Sequence, residues 1–130
     1  MTVKAAVVQD CPVFFDKART LEKVAQLVAD AAARGCNLVL FPESFVPGYP
    51  RDFDFGTRVG DRSGEGRDLY LEYHRQSFRT EGADLALLEE LASSSGCSLV
   101  IGVTEQAPDS SSLFCSILYI SPASGLLGVH

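Results

Sequence analysis

Two short apolar runs flanking one helical stripe occupy the first 41 residues, and few chain arrangements satisfy that pattern. VKAAVVQ (3–9) is mostly apolar and suits a strand inside a sheet. From Lys17 to Arg34, the residues Leu21, Val24, Ala25, Val28, Ala31 and Ala32 share one helical stripe with Leu27 on its flank. Asp16 is placed to cap the start of that helix, and Gly35 to end it with a positive φ. NLVLF (37–41) then reads as a buried strand. Strand, helix and strand within this span predict a right-handed βαβ unit with parallel strands, and hence an α/β fold.

The strand NLVLF runs into FPESFVPGYP (41–50), where Pro47, Gly48 and Pro50 oppose helix formation. Glu43 is therefore carried to the C-terminal edge of a strand, the edge at which open α/β sheets bind ligands. From Glu43 to about Gly66 the composition shifts to Gly, Pro, Arg, Asp and aromatics, a connection long enough to suggest a functional loop. Helices are predicted over roughly 69–79 and 84–95, the second ended by Gly96, and a strand over 97–105. SLFCSILYIS (112–121) and LLGVH (126–130) flank the turn sequence Pro122-Ala-Ser-Gly125 and predict an antiparallel hairpin.

With 130 residues, 46% hydrophobic and 22% charged, the chain has the size and composition of one globular domain. A net charge of −6, with 11 scattered Lys and Arg, argues against nucleic-acid and membrane partners and favours a small molecule or a protein. No apolar run approaches the roughly 18 residues of a membrane span, and the N-terminus lacks a secretory pattern, so an intracellular, cytoplasmic protein is expected. The four cysteines form no CxxC pair and neither His74 nor His130 stands at metal-ligand spacing from them, so no metal or disulfide framework is expected. Cys36, Cys97 and Cys115 are read as small buried hydrophobes. No GxGxxG or GxxxxGK[ST] loop follows the first strand, so no phosphate cradle is offered, which lowers the case for an unrelated α/β ligand-binding domain; no cofactor is expected.

The order of AAVVQD, AAARGCNLVLFPESFVPGYPR, FGTRVGDRSGEGRDLYLEY, LVIGVTE and LFCSILYISPASGLLGVH resembles the nitrilase superfamily of carbon-nitrogen hydrolases, and within it the true nitrilase branch. FPE alone is a weak signal; FPESFVPGYPR followed by RVGDRSGEGRDLYLEY is the specific one. The resemblance implies the N-terminal half of a four-layer αββα sandwich and a Glu–Lys–Cys catalytic set, of which Glu43 matches the general base. It also implies that residues 1–130 are a carbon-nitrogen hydrolase domain cut before the segments bearing the lysine and the nucleophilic cysteine. The only lysines are Lys4, Lys17 and Lys23, none of them after the first helix.

By that resemblance the activity is hydrolysis of a nitrile to a carboxylic acid and ammonia, by a homo-oligomer of such subunits. A thiolate attacks the nitrile carbon, a base moves protons, and a cation stabilises the developing negative charge. Tyr49 is the candidate substrate-binding residue, with packing beside two prolines as its other reading. Arg51, Asp52, Asp54, Arg58, Asp61 and Arg62 are read as a structural ion network, Glu105 as an exposed strand-end charge, and His74 as a surface residue. Cys115 shares a strand face with Leu113, Ile117 and Tyr119, and core packing is expected of it. The chain alone is expected to be inactive, and aggregated or oligomeric because half a sandwich leaves a sheet face uncovered. The alternative is a non-catalytic module that associates with full-length subunits.

Overall fold

The computed structural model describes residues 2–58 and 61–130; the side chains of Arg58 and Asp61 lie outside that description. In chain order its elements are β1 (Ala5–Val7), α1 (Lys17–Ala33), β2 (Leu38–Leu40), β3 (Thr57–Arg58), β4 (Asp61–Arg62), α2 (Gly64–Gln76), α3 (Ala83–Ser95), β5 (Ser98–Gln106), β6 (Leu113–Ser121) and β7 (Gly125–Val129).

Helix α1 begins and ends as its residues dictate. The Asp16 carboxylate accepts the Arg19 N–H at 3.0 Å, satisfying one of the donors that a helix start leaves unpaired. At the other end Gly35 adopts φ 76°, which lets the Gly35 and Cys36 amides turn back onto the Ala32 and Ala31 carbonyls at 2.8 and 3.0 Å. Leu21, Val24, Val28 and Ala31 form its buried stripe.

The main sheet has the order β1-β2-β5-β6-β7. Strands β1, β2 and β5 are parallel, whereas β6 and β7 continue the sheet antiparallel, so both the βαβ unit and the hairpin expected from sequence are present. One sheet face carries Val39, Leu99, Ile101, Val103, Leu118 and Ile120, all essentially inaccessible, beneath α1 and Leu88 and Ala92 of α3. Each such fully buried aliphatic side chain contributes roughly 1.5–3 kcal/mol through removal from water. The register places Val7, Leu40, Val100 and Tyr119 side by side on the opposite face. There Val7 remains 71% and Tyr119 39% exposed, so this face is largely open.

Helix α2 departs from expectation at both ends. It starts at Gly64 rather than near Leu69, because Ser63 caps it by accepting the Gly66 N–H at 3.0 Å. It stops at Gln76 because Phe78 joins the sheet instead, donating to the Thr104 carbonyl at 2.7 Å and accepting from the Gln106 amide at 2.9 Å. The connection before it is built around rings. Phe55 stacks on Tyr73 with centroids 5.6 Å apart, Phe15 packs tilted against the same ring at 5.2 Å, and Phe53 lies 5.7 Å from Phe14.

Only part of the ion network expected along this connection falls within the described residues. Arg51 and Asp52 approach only to 4.0 Å, with both side chains almost fully exposed, a pairing worth ~0–1 kcal/mol. Asp54 accepts the Gly56 N–H at 2.8 Å, while the Arg58 and Asp61 side chains fall outside the described residues.

Candidate active site

Glu43 leaves the end of β2 in a segment whose following residues, Ser44 to Gly48, are buried although they form no regular element. The backbone is satisfied by β5: Phe45 donates to the Gly102 carbonyl at 2.8 Å, and Thr104 donates to the Val46 carbonyl at 2.8 Å. Gly102 permits this approach. A Cβ there would lie 2.3 Å from the Pro42 oxygen, 2.6 Å from the Glu43 Cα and 2.8 Å from the Ser44 nitrogen. A second anchor comes from α2, where the buried Tyr73 hydroxyl donates to the Gly48 carbonyl at 3.0 Å and lies 2.8 Å from the Thr104 hydroxyl. Burial pushes the Tyr73 phenol above its ordinary value, and the bond to Thr104 partly offsets this. Sequence reasoning missed Tyr73 and Gly102, since neither spacing nor composition marks a residue whose role is to hold a distant loop.

The Glu43 side chain is exposed and lies at an open cavity of about 320 Å³ on the uncovered sheet face. Phe41, Val100 and Ile117 supply its apolar lining, and Glu43, Cys115 and His130 its polar groups. Cys115 Sγ donates to Glu43 Oε1 at 3.2 Å, and the Ser44 hydroxyl lies 3.6 Å from the same sulfur. Burial chiefly raises the Cys115 thiol above its ordinary range; the Ser44 bond lowers it, while the bond to Glu43 and that carboxylate's charge raise it further.

The core position expected for Cys115 is therefore corrected. The alternation places Cys115, Ile117 and Tyr119 on one face, but the buried face of β6 is the other one, that of Ser116, Leu118 and Ile120. A strand shows which residues share a face without showing which face is covered. Cys97 is buried as expected, with its thiol donating to the Cys36 carbonyl at 3.2 Å, and Cys36 is half-buried.

Glu105 is not a free strand-end charge. It is half-buried and accepts from the Thr80 hydroxyl at 3.0 Å and the Ser116 hydroxyl at 2.6 Å, on the sheet face away from Glu43. His74 is likewise not a plain surface residue, because its Nε2 is buried without a hydrogen-bond partner among the described residues. Tyr49 is 57% exposed and does not line the cavity of Glu43.

The lysines are held elsewhere. Lys17 pairs with Asp84 at 2.7 Å and Lys23 with Asp10 at 2.8 Å, while Lys4 donates to the Arg34 carbonyl. Among the described residues no group of three His, Cys, Asp or Glu side chains is arranged to hold a metal, and no helix is long and apolar enough to cross a membrane.

An αβ layer with a carboxylate at the C-terminal edge of its parallel strands defines a class that sequence comparison identifies. The chain belongs to the carbon-nitrogen hydrolase family, whose model matches residues 4–130. It is 40% identical over 129 residues to nitrilase 3 of Arabidopsis thaliana, covering 99% of this chain and 37% of that protein. It is also 40% identical over 127 residues to an aliphatic nitrilase of Sinorhizobium fredii (strain HH103), covering 98% of this chain and 40% of that protein. Among solved structures, Saccharomyces cerevisiae Nit3, a member of branch 10 of the nitrilase superfamily, matches with a TM-score of 0.71 at 19% identity, over 98% of this chain and 43% of that one. That last likeness is one of fold, and it bears out the partial α/β sandwich. The chain spans about two fifths or less of the length of these curated relatives.

Proposed function

We propose that these 130 residues are the portion of a nitrile-hydrolysing enzyme that supplies the general base, Glu43, with the ammonium and the nucleophilic thiol coming from segments outside them. The observation that carries this reading is the Glu43 carboxylate at an open, mostly apolar cavity, in a chain about 40% identical to nitrilases. In the complete site, thiolate addition to the nitrile carbon yields a thioimidate. A first water adds, ammonia leaves, and a second water hydrolyses the thioester to the acid. Glu43 accepts and returns the protons of these steps, and the apolar walls favour a small uncharged substrate. Tyr49 lies outside the lining of that cavity and is exposed on the same loop, so as a candidate substrate contact it would act at the part of the site completed by segments outside these residues.

The open face with Val7 and Tyr119 favours a second reading, in which the chain alone is an inactive module that associates with full-length subunits. Mass measurement of the native product separates the two. If residues extend beyond His130, ammonia release from a nitrile panel should fall by about 10²–10⁴-fold in Glu43→Gln. Undiminished release from that variant refutes the base assignment. If the product ends at His130, it should release no ammonia alone and should co-purify with a full-length nitrilase subunit.

A further inference from the structure

The one direct side-chain partner of Glu43 among the described residues is a thiol on another strand. Cys115 is fixed near the start of β6 by pairing with Thr104 of β5, and Gly102, two residues back, holds the backbone of Glu43 against the same strand. Carboxylate and sulfur are thus positioned by one strand from two directions. Ser44 completes the arrangement: it is buried, holds φ 45°, and its hydroxyl reaches the same sulfur. Because the thiol has a single proton and spends it on Glu43 Oε1, the Ser44 hydroxyl is the donor in its own contact. The hydrogen bonds therefore run in one direction, from Ser44 Oγ to Cys115 Sγ to Glu43 Oε1.

We propose that Cys115 is a positioning residue for Glu43: its S–H occupies Oε1 and fixes the carboxylate at the cavity mouth, leaving Oε2 to take the proton in the reaction. This inference rests on the reading of Glu43 as the base. Cys115 acts as a donor, not as a nucleophile, and the electrostatics agree. A thiolate 3.2 Å from a carboxylate oxygen would place two negative charges in contact, so the neutral thiol is the form the site maintains. The other titratable groups near the sulfur among the described residues are the Tyr73 phenol, whose ionisation is coupled to that of Cys115, and His130, which lines the same cavity.

Two measurements on the native product test this without any nitrile, so their failure is distinct from failure of the hydrolase reading. The first is peptide-resolved alkylation by iodoacetamide across pH, with exposed Cys11 as reference thiol and buried Cys97 as reporter of unfolding. Cys115 should titrate above its ordinary value of 9.0. Glu43→Gln should lower that midpoint, read near neutral pH as faster alkylation of Cys115 relative to Cys11. The second is the 13C resonance of the Glu43 carboxyl, assigned through the same variant. It should move in Cys115→Ala and return toward the wild-type position in Cys115→Ser, which keeps a donor. A structural role alone would not give that rescue. An alkylation profile unaltered in Glu43→Gln with Cys97 still protected, or a Glu43 resonance indifferent to Cys115→Ala, overturns the proposal. Should Glu43→Gln expose Cys97, the carboxyl resonance decides between the two outcomes.

Discussion

Gly102→Ala should displace Glu43 without touching its side chain. The added methyl would sit 2.3 Å from the Pro42 oxygen, 2.6 Å from the Glu43 Cα and 2.8 Å from the Ser44 nitrogen. Every one of these is a backbone atom, so no rotamer change relieves the clash. To restore an ordinary contact of about 3.5 Å, the loop must withdraw from β5 by roughly 1 Å. Overpacking of this kind costs about 1–3 kcal/mol. The withdrawal also strains the 2.8 Å bond from the Phe45 amide to the Gly102 carbonyl, a further ~0.5–1.5 kcal/mol. The sum is about 1.5–4.5 kcal/mol, a substantial part of the ~5–15 kcal/mol that a domain has.

Urea unfolding at matched protein concentration measures this directly. With a slope of about 2 kcal/mol per M, the midpoint should fall by roughly 1–2 M. Amide exchange should accelerate at Phe45. Gly128→Ala on β7 is the control, since a Cβ there meets nothing within 4 Å, and it should change stability by no more than about 0.5 kcal/mol. A Gly102→Ala variant that unfolds like Gly128→Ala, with Phe45 exchange unaltered, would refute the claim that the strand glycine seats the loop.

Asp16→Ala removes the cap of α1 and should cost about 1 kcal/mol, read as a smaller shift of the same urea midpoint. Tyr73→Phe leaves the Gly48 carbonyl and the Thr104 hydroxyl without their shared partner in a buried place, at a cost of about 1–3 kcal/mol, again measured by urea. Alkaline stability follows from the groups whose folded values are raised, Cys115, Tyr70 and Tyr73, with ordinary values of 9.0, 10.0 and 10.0. The unfolded chain releases these protons first, so their contribution is complete below those values and is lost as pH rises through the higher folded ones. The urea midpoint should therefore fall above about pH 9, and less steeply above about pH 10 in Tyr73→Phe; an equally steep fall in that variant would refute the phenol's part.

Local chemistry made much of the fold legible. The stripe from Leu21 to Ala31 and its flanking residues Asp16 and Gly35 specify α1 through interactions within a few residues of one another, which is why its ends match expectation so closely. The hairpin of β6 and β7 follows for the same reason from the turn ending at Gly125, where φ is 68°. Glu43 was legible as a residue delivered to a strand end, because the apolar run and the prolines after it act locally. Helix α2 was less so, since its stop depends on Phe78 pairing with β5, a partner more than twenty residues away.

What the sequence by itself determined, then, is the strands of the main sheet and the helices beside them, their order, the parallel unit and the strand edge at which Glu43 emerges, whereas β3 and β4 fall in a stretch read as a loop. Tertiary structure alone decided which face of β6 is covered, and so placed Cys115 against a carboxylate instead of in the core. It also decided that Gly102 and Tyr73 hold the Glu43 loop. The physical reason is that alternation along a strand has two equivalent solutions, and only the helices packing on one side distinguish them.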